Sequence, residues 1–211
     1  KRDNLARADE ALRDHRAVFD ALPSKLTLQT TDACNLACPH CQIPTSAKKP
    51  AMSREVLALL ADQLLDDLIE LHPTNLGEPF AWPWFRDLCW LMHERGVVLD
   101  LTTNGTLLTP RRLEWIAPIA RDVKVSFDGA TRATFERFRV GADFARVCAN
   151  VAGLVERLRR VPVRRPVVSL QMTLMRDTVD ELPELVRLAA RLGVDRVKAY
   201  HLFSFGDELE E

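Results

Sequence analysis

Six times along this chain a short apolar, strand-like run gives way to a helical pattern, with brief links between them. Nothing else in the sequence constrains the fold as much. Parallel strands need a long crossover between them, and a helix is the usual one. Strands are expected over 25–30, 71–76, 97–102, 123–127, 167–174 and 194–200. Helices are expected over 53–69, 83–95, from Thr109-Pro110 onward, and over 131–138, 144–159 and 181–192. Ser53 and Thr109 are N-cap residues, and Gly96 and Gly193 are stops. Val56, Leu60, Leu64 and Leu68 form the expected buried stripe of the second helix. A first helix over 5–22, carrying Leu5, Ala8, Leu12, Val18 and Phe19 and ended by Pro23, precedes the alternation. The fold class is therefore α/β with helices outside a parallel sheet; strand number permits an open or partial barrel, and a partial (β/α)6 TIM-like barrel of parallel strands after an N-terminal helix is the expectation. Residues 1–24 form the helical extension and 25–211 the barrel domain.

The chain's 211 residues can bury one sizeable core, and 47% apolar with 28% charged residues is ordinary globular composition. A formal net charge of −1 gives no reason to expect nucleic acid or an anionic membrane as partner. No apolar run reaches the ~18 residues of a membrane span. No signal-peptide pattern is visible, and the chain opens on Lys1 rather than Met, as a trimmed piece would. Five cysteines, three of them clustered, do not resemble a secreted disulfide framework, so a reducing cytoplasm is expected.

The clustered cysteines are Cys34, Cys38 and Cys41, in Cys34-Asn35-Leu36-Ala37-Cys38-Pro39-His40-Cys41 directly after the first strand. Three thiolates can hold three corners of a cubane iron–sulfur cluster and leave the fourth iron open to a substrate or cofactor. Cys89 and Cys148 stand alone in helical patterns and read as small core residues. The other unusual residues fall after successive strands: Gly77-Glu78-Pro79, Thr103-Asn104-Gly105, Ser126-Phe127-Asp128-Gly129, Gln171 with Thr173, and Tyr200 with His201. In parallel α/β sheets and barrels that rim is where ligands bind. Taken singly, the Gly77, Asn104 and Asp128 segments are also ordinary turns.

The Cys-x3-Cys-x2-Cys spacing resembles the fingerprint of the radical S-adenosylmethionine (radical SAM) enzymes, and the resemblance runs over about 25–200. It implies that Cys34, Cys38 and Cys41 hold a [4Fe-4S] cluster whose open iron chelates S-adenosylmethionine. Gly77 and Glu78 resemble the family's GGEP motif, which pairs with the cofactor's amino group; Leu76 stands where the first Gly is usual. Ser126 and Arg139, with Arg137 as the rival arginine, match the positions that contact the cofactor's carboxylate or ribose, and Asn104 belongs to the same rim. His40 takes a slot that is commonly aromatic and stacks on adenine. The implied activity is reductive cleavage of S-adenosylmethionine to a 5′-deoxyadenosyl radical that abstracts hydrogen from a peptide, natural product or sugar. A reductant such as flavodoxin or ferredoxin is the implied partner.

Ser126-Phe127-Asp128-Gly129 followed by 139–144 resembles the branch with a C-terminal SPASM or twitch extension that binds auxiliary clusters. No cysteine follows Cys148, and the chain closes on the acidic tail Asp207-Glu208-Leu209-Glu210-Glu211, so that extension is expected to be absent from this sequence. Loss of a longer remainder is favoured over a member that lacks it, because a last strand would otherwise leave an open edge. The alternatives from other classes are a zinc- or cluster-binding interaction module, with His40 as a fourth ligand, and an electron-transfer module.

Overall fold

The computed structural model describes residues 1–42, 49–162 and 165–202. Its elements are α1 (Arg2–Arg13), β1 (Lys25–Thr27), α2 (Arg54–Gln63), β2 (Glu70–His72), α3 (Phe85–Glu94), β3 (Val98–Thr103) and α4 (Pro110–Ile116). They continue with β4 (Ala120–Ser126), α5 (Arg132–Phe138), α6 (Phe144–Arg159), β5 (Val167–Leu174), α7 (Leu182–Leu192) and β6 (Arg196–His201). All six strands are parallel and lie in the order β1-β2-β3-β4-β5-β6. Sequential order makes every crossover step the same way, so the helices collect on one face and the sheet curls as a barrel segment. The α/β partial-barrel expectation and the N-terminal helix are both borne out. Among the described residues no helix is long and apolar enough to cross a membrane.

The convex face is the core. Leu71, Leu99, Leu101, Val123, Val125, Val168, Leu170 and Met172 point outward beneath Leu57, Leu88, Met92, Ile116, Val151, Leu154 and Leu185 of the helices. The concave face is polar. Paired positions Asp100↔Asp122, Thr102↔Lys124, Ser126↔Gln171, Gln171↔Lys198 and Thr173↔Tyr200 share one side of the pleat. Charges there pair across strands: Lys124 with Asp100, Lys198 Nζ with Asp122 at 3.2 Å, and His72 Nδ1 3.3 Å from Asp100.

Several boundaries differ from the sequence expectation. The first helix ends at Arg13, and His15 follows with φ 52°. The Asn4 side chain donates to Leu22 O and accepts from Leu22 N, both at 2.8 Å, so the chain folds back instead of continuing as helix. Leu12, Val18 and Phe19 are exposed as a result. The second helix stops at Gln63, and its core face carries Leu57 where Val56 was expected; Val56 is exposed. The first two strands are only three residues each. The Gln29 side chain captures the backbone N–H groups of Asn75 and Leu76 at 3.1 Å, which ends pairing in favour of a polar loop. The Ser53 and Thr109 caps, the break between the helices that end at Phe138 and start at Phe144, and the Gly193 stop stand where the sequence puts them. The acidic tail lies outside the described residues.

Candidate active site

A pocket of about 330 Å³ opens at the carboxyl ends of the strands. Cys34, Cys38, His40 and Cys41 reach it from the loop after β1, Gly77 from the loop after β2, and Asn104 from the end of β3. Ser126 closes β4, Arg139 follows α5, and Gln171 and Thr173 project from β5. Thus every expected site residue except Glu78 lines one pocket.

The cysteine loop is held by backbone bonds from several directions. Met52 N donates to Thr30 O at 2.7 Å, Glu78 N to Ala33 O at 2.8 Å, and Ala37 N to Val140 O at 3.0 Å. Within the loop, Cys41 N donates to Cys38 O at 3.0 Å. Cys34 Sγ accepts from Leu36 N at 3.4 Å and from Asn104 Nδ2 at 3.6 Å, and Cys38 Sγ from Arg139 Nη1 at 3.9 Å. Burial pushes the Cys38 thiol up, and the Arg139 guanidinium opposes it. Donors aimed at sulfur favour the thiolate that a metal requires. Among the described residues, no three His, Cys, Asp or Glu side chains converge closely enough to hold one metal ion. A single zinc would need its sulfurs gathered at about 2.3 Å from one centre; a cubane spreads them over separate irons.

Gly77 is compelled by geometry. Its φ is +76°, and a Cβ there would stand 2.4 Å from Thr31 O and 3.0 Å from Ala33 O. Its backbone therefore lies against the cysteine loop at the pocket edge. Glu78 faces the other way and is fully buried. It accepts from Thr103 Oγ1 at 2.8 Å, Asn104 N at 2.7 Å and Phe80 N at 3.3 Å. Burial pushes its carboxyl up to about 7, against those bonds. Both oxygens are occupied by the protein, so the structure places Glu78 as a brace between the loops after β2 and β3, away from the expected ammonium contact. Asn104 extends the brace: Nδ2 donates to Asn35 Oδ1 at 3.0 Å and Oδ1 accepts from Thr106 N at 2.9 Å.

Asp128 is the residue that sequence reasoning undervalued. It is fully buried; Oδ1 accepts from Thr173 N at 2.6 Å, and Oδ2 lies 2.5 Å from Arg139 Nη2 and 3.1 Å from His40 Nε2. Burial alone would raise this carboxyl, but Arg139 first, then His40 and Thr173, hold it below the ordinary range. Of the two arginines, Arg139 turns inward to Asp128, while Arg137 is exposed and bonded to Asp177 at 2.6 Å. His40 meets Phe138 edge-on, with centroids 6.2 Å apart. His40 Nδ1 and Arg139 Nε are buried without a partner among the described residues. Both belong to pocket-lining side chains, and a polar ligand beside the cysteines suits them. The donor set therefore fits a thiolate-held cluster with a polar cofactor next to it. Cys89 is buried in the outer core and Cys148 is half-buried on α6, both remote from this pocket's lining. The period-two polar residues of β4 and β5 were the available signal for the concave face.

A family model described as the radical SAM superfamily matches residues 28–189. Among curated relatives, the tungsten-containing aldehyde ferredoxin oxidoreductase cofactor-modifying protein of Pyrococcus furiosus is 28% identical over 188 residues, 87% of this chain and 52% of its own length. The PqqA peptide cyclase of Gluconobacter oxydans is 27% identical, over 87% of this chain and 51% of its own. The chain thus spans about half the length of these relatives. The crystal structure of Streptococcus suis SuiB bound to S-adenosylmethionine superposes with a TM-score of 0.74 at 14% identity, over 96% of this chain and 45% of SuiB. That last likeness is one of fold.

Proposed function

Because this chain belongs to the radical SAM superfamily, we propose that Cys34, Cys38 and Cys41 hold a [4Fe-4S] cluster and that the adjoining pocket binds S-adenosylmethionine. The observation that carries this reading is convergence: three thiols and the ends of five further strand–loop units, the last contributing His201, meet in one polar pocket. When bound, the pair supplies one-electron cleavage of S-adenosylmethionine to methionine and a 5′-deoxyadenosyl radical that takes hydrogen from substrate.

The chain's own residues bind and orient. The pocket-lining backbone at Gly77 takes the amino group of the cofactor, and Arg139 offers the Nε–H that Asp128 and Cys38 leave free to the carboxylate or ribose, with Ser126 beside it. His40 lies against the adenine. Asp128 fixes both His40 and Arg139, while Glu78 and Asn104 hold the loops that frame the cluster. The polar concave face below the pocket receives the substrate. A peptide is the favoured class, since one relative is named a peptide cyclase; a small natural product or sugar is the other. The reading includes a flavodoxin- or ferredoxin-type reductant, the cytoplasm as compartment, and an auxiliary-cluster extension outside this sequence.

The test is electron paramagnetic resonance of anaerobically reconstituted, dithionite-reduced protein, with and without S-adenosylmethionine. A reduced-cluster signal that changes on adding the cofactor is expected. Cys34→Ala, Cys38→Ala and Cys41→Ala each remove that signal and the iron, whereas Cys89→Ala leaves both. A cluster indifferent to the cofactor points to an electron relay, and zinc without iron to an interaction module; either result refutes the proposal.

A further inference from the structure

Outside the pocket, the outer face of α3 and its neighbours is unusually rich in tryptophan and arginine. Of the protein's four tryptophans, Trp82 is buried and Trp84, Trp90 and Trp115 stand on this face, with Trp90 61% exposed. A groove of about 520 Å³ runs between Trp84 and Trp115, edged by Arg86, Arg111 and Arg112 against the lone carboxylate of Asp87. Arg54 adds a fourth guanidinium, 5.2 Å over the Trp84 ring. Arg86 and Arg111 are exposed and have no acidic partner among the described residues. Unpaired arginines beside the half-buried indoles of Trp84 and Trp115, with the exposed Trp90 nearby, are the composition of an interface centre, and the charge excess calls for an acidic partner.

We propose that this face docks a small acidic one-electron carrier protein. The inference rests on the radical SAM reading above and names the partner that reading requires. Position supports that partner. α3 and α4 cover the convex side of the sheet, so the groove leaves the concave substrate side free. It is also linked, through intervening groups, to the cysteine loop. Arg112 lies 5.7 Å over the Phe80 ring, Phe80 N and Asn104 N both bond the Glu78 carboxylate, and Asn104 Nδ2 reaches Cys34 Sγ at 3.6 Å. A few bonded groups thus join the outer groove to a sulfur of the site. The carrier loses one electron to the cluster held by the three thiolates, and no bond or proton changes on this chain. A modest, salt-sensitive contact suits such an encounter, since electron-transfer interfaces are among the smallest specific ones.

The experiment compares the wild-type chain with R86E/R111E, using an acidic flavodoxin as probe. Affinity is measured by titration calorimetry at low and physiological salt. Cluster reduction is followed by stopped flow with the photoreduced flavodoxin and, separately, with dithionite. The variant is expected to bind flavodoxin about tenfold or more weakly and to be reduced by it correspondingly slowly. Dithionite reduction and the melting temperature stay unchanged, which separates lost docking from lost folding. Unchanged affinity in the variant overturns the proposal. So does a variant that keeps flavodoxin but loses an acidic peptide, which makes this a peptide site. If the wild type takes up no cluster, the radical SAM reading fails, and the calorimetry still decides the docking.

Discussion

Asp128 carries a guanidinium and an imidazole on one carboxylate oxygen and a backbone N–H on the other. Its worth follows from burial. A buried ion pair contributes little relative to well-packed apolar groups, but removing one partner leaves an uncompensated charge. Asp128→Asn keeps the shape and strands the Arg139 guanidinium, whose side chain is only 14% exposed. Urea denaturation is expected to show a loss of about 3–5 kcal/mol. A loss under about 1 kcal/mol would mean that water or a shift of Arg139 relieves the charge. The same logic warns against Arg139→Ala as a probe of cofactor binding, since it strands Asp128; Arg139→Lys keeps the charge while removing the fork.

At the scale of elements, the site depends on loops that touch where no side chain fits. At Gly77 the loop after β2 crosses the cysteine loop so closely that a methyl group would overlap Thr31 O. Gly96, at φ +58°, has the same backbone requirement and open space around it. Gly96→Ala should cost about 1 kcal/mol, the conformational term alone. Gly77→Ala should cost at least about 2 kcal/mol more, because the loops must part, and reconstituted iron should fall with it. Equal costs at the two positions would show that the loops are free to separate. Much of this element-level organisation was legible beforehand. The Ser53 and Thr109 caps and β5 stand where local pattern put them, because cap chemistry and period-two alternation act within a few residues. The ends of α1, β1 and β2 were not legible, because Asn4 and Gln29 bind backbone groups 18 and 46 or 47 residues away.

For the whole molecule, Glu78 couples stability to pH. Its carboxyl is raised from the ordinary 4.5 to about 7 in the fold, so across that window the folded chain binds the proton more than the unfolded chain does. The associated stabilisation is complete below the unfolded value and is lost as pH rises towards about 7. Urea midpoints at about pH 5 and about pH 7.5 should show this decline. Glu78→Gln should flatten it while lowering stability throughout, because an amide N–H₂ would face donor N–H groups of the brace. An unchanged slope would assign the decline to other groups.

Sequence alone determined the strand–helix alternation, the sheet's parallel sense, and the clustering of cysteines and turn residues on one rim. These are consequences of periodicity and spacing, which are local. The tertiary structure decided which of Arg137 and Arg139 turns inward, that Glu78 braces two loops instead of facing the pocket, and that Asp128 ties His40 to Arg139. It also decided that the concave face is charged and that three tryptophans meet four arginines outside. Each of those depends on burial and on partners brought from distant parts of the chain, so the energy that selects it exists only once the sheet has curled.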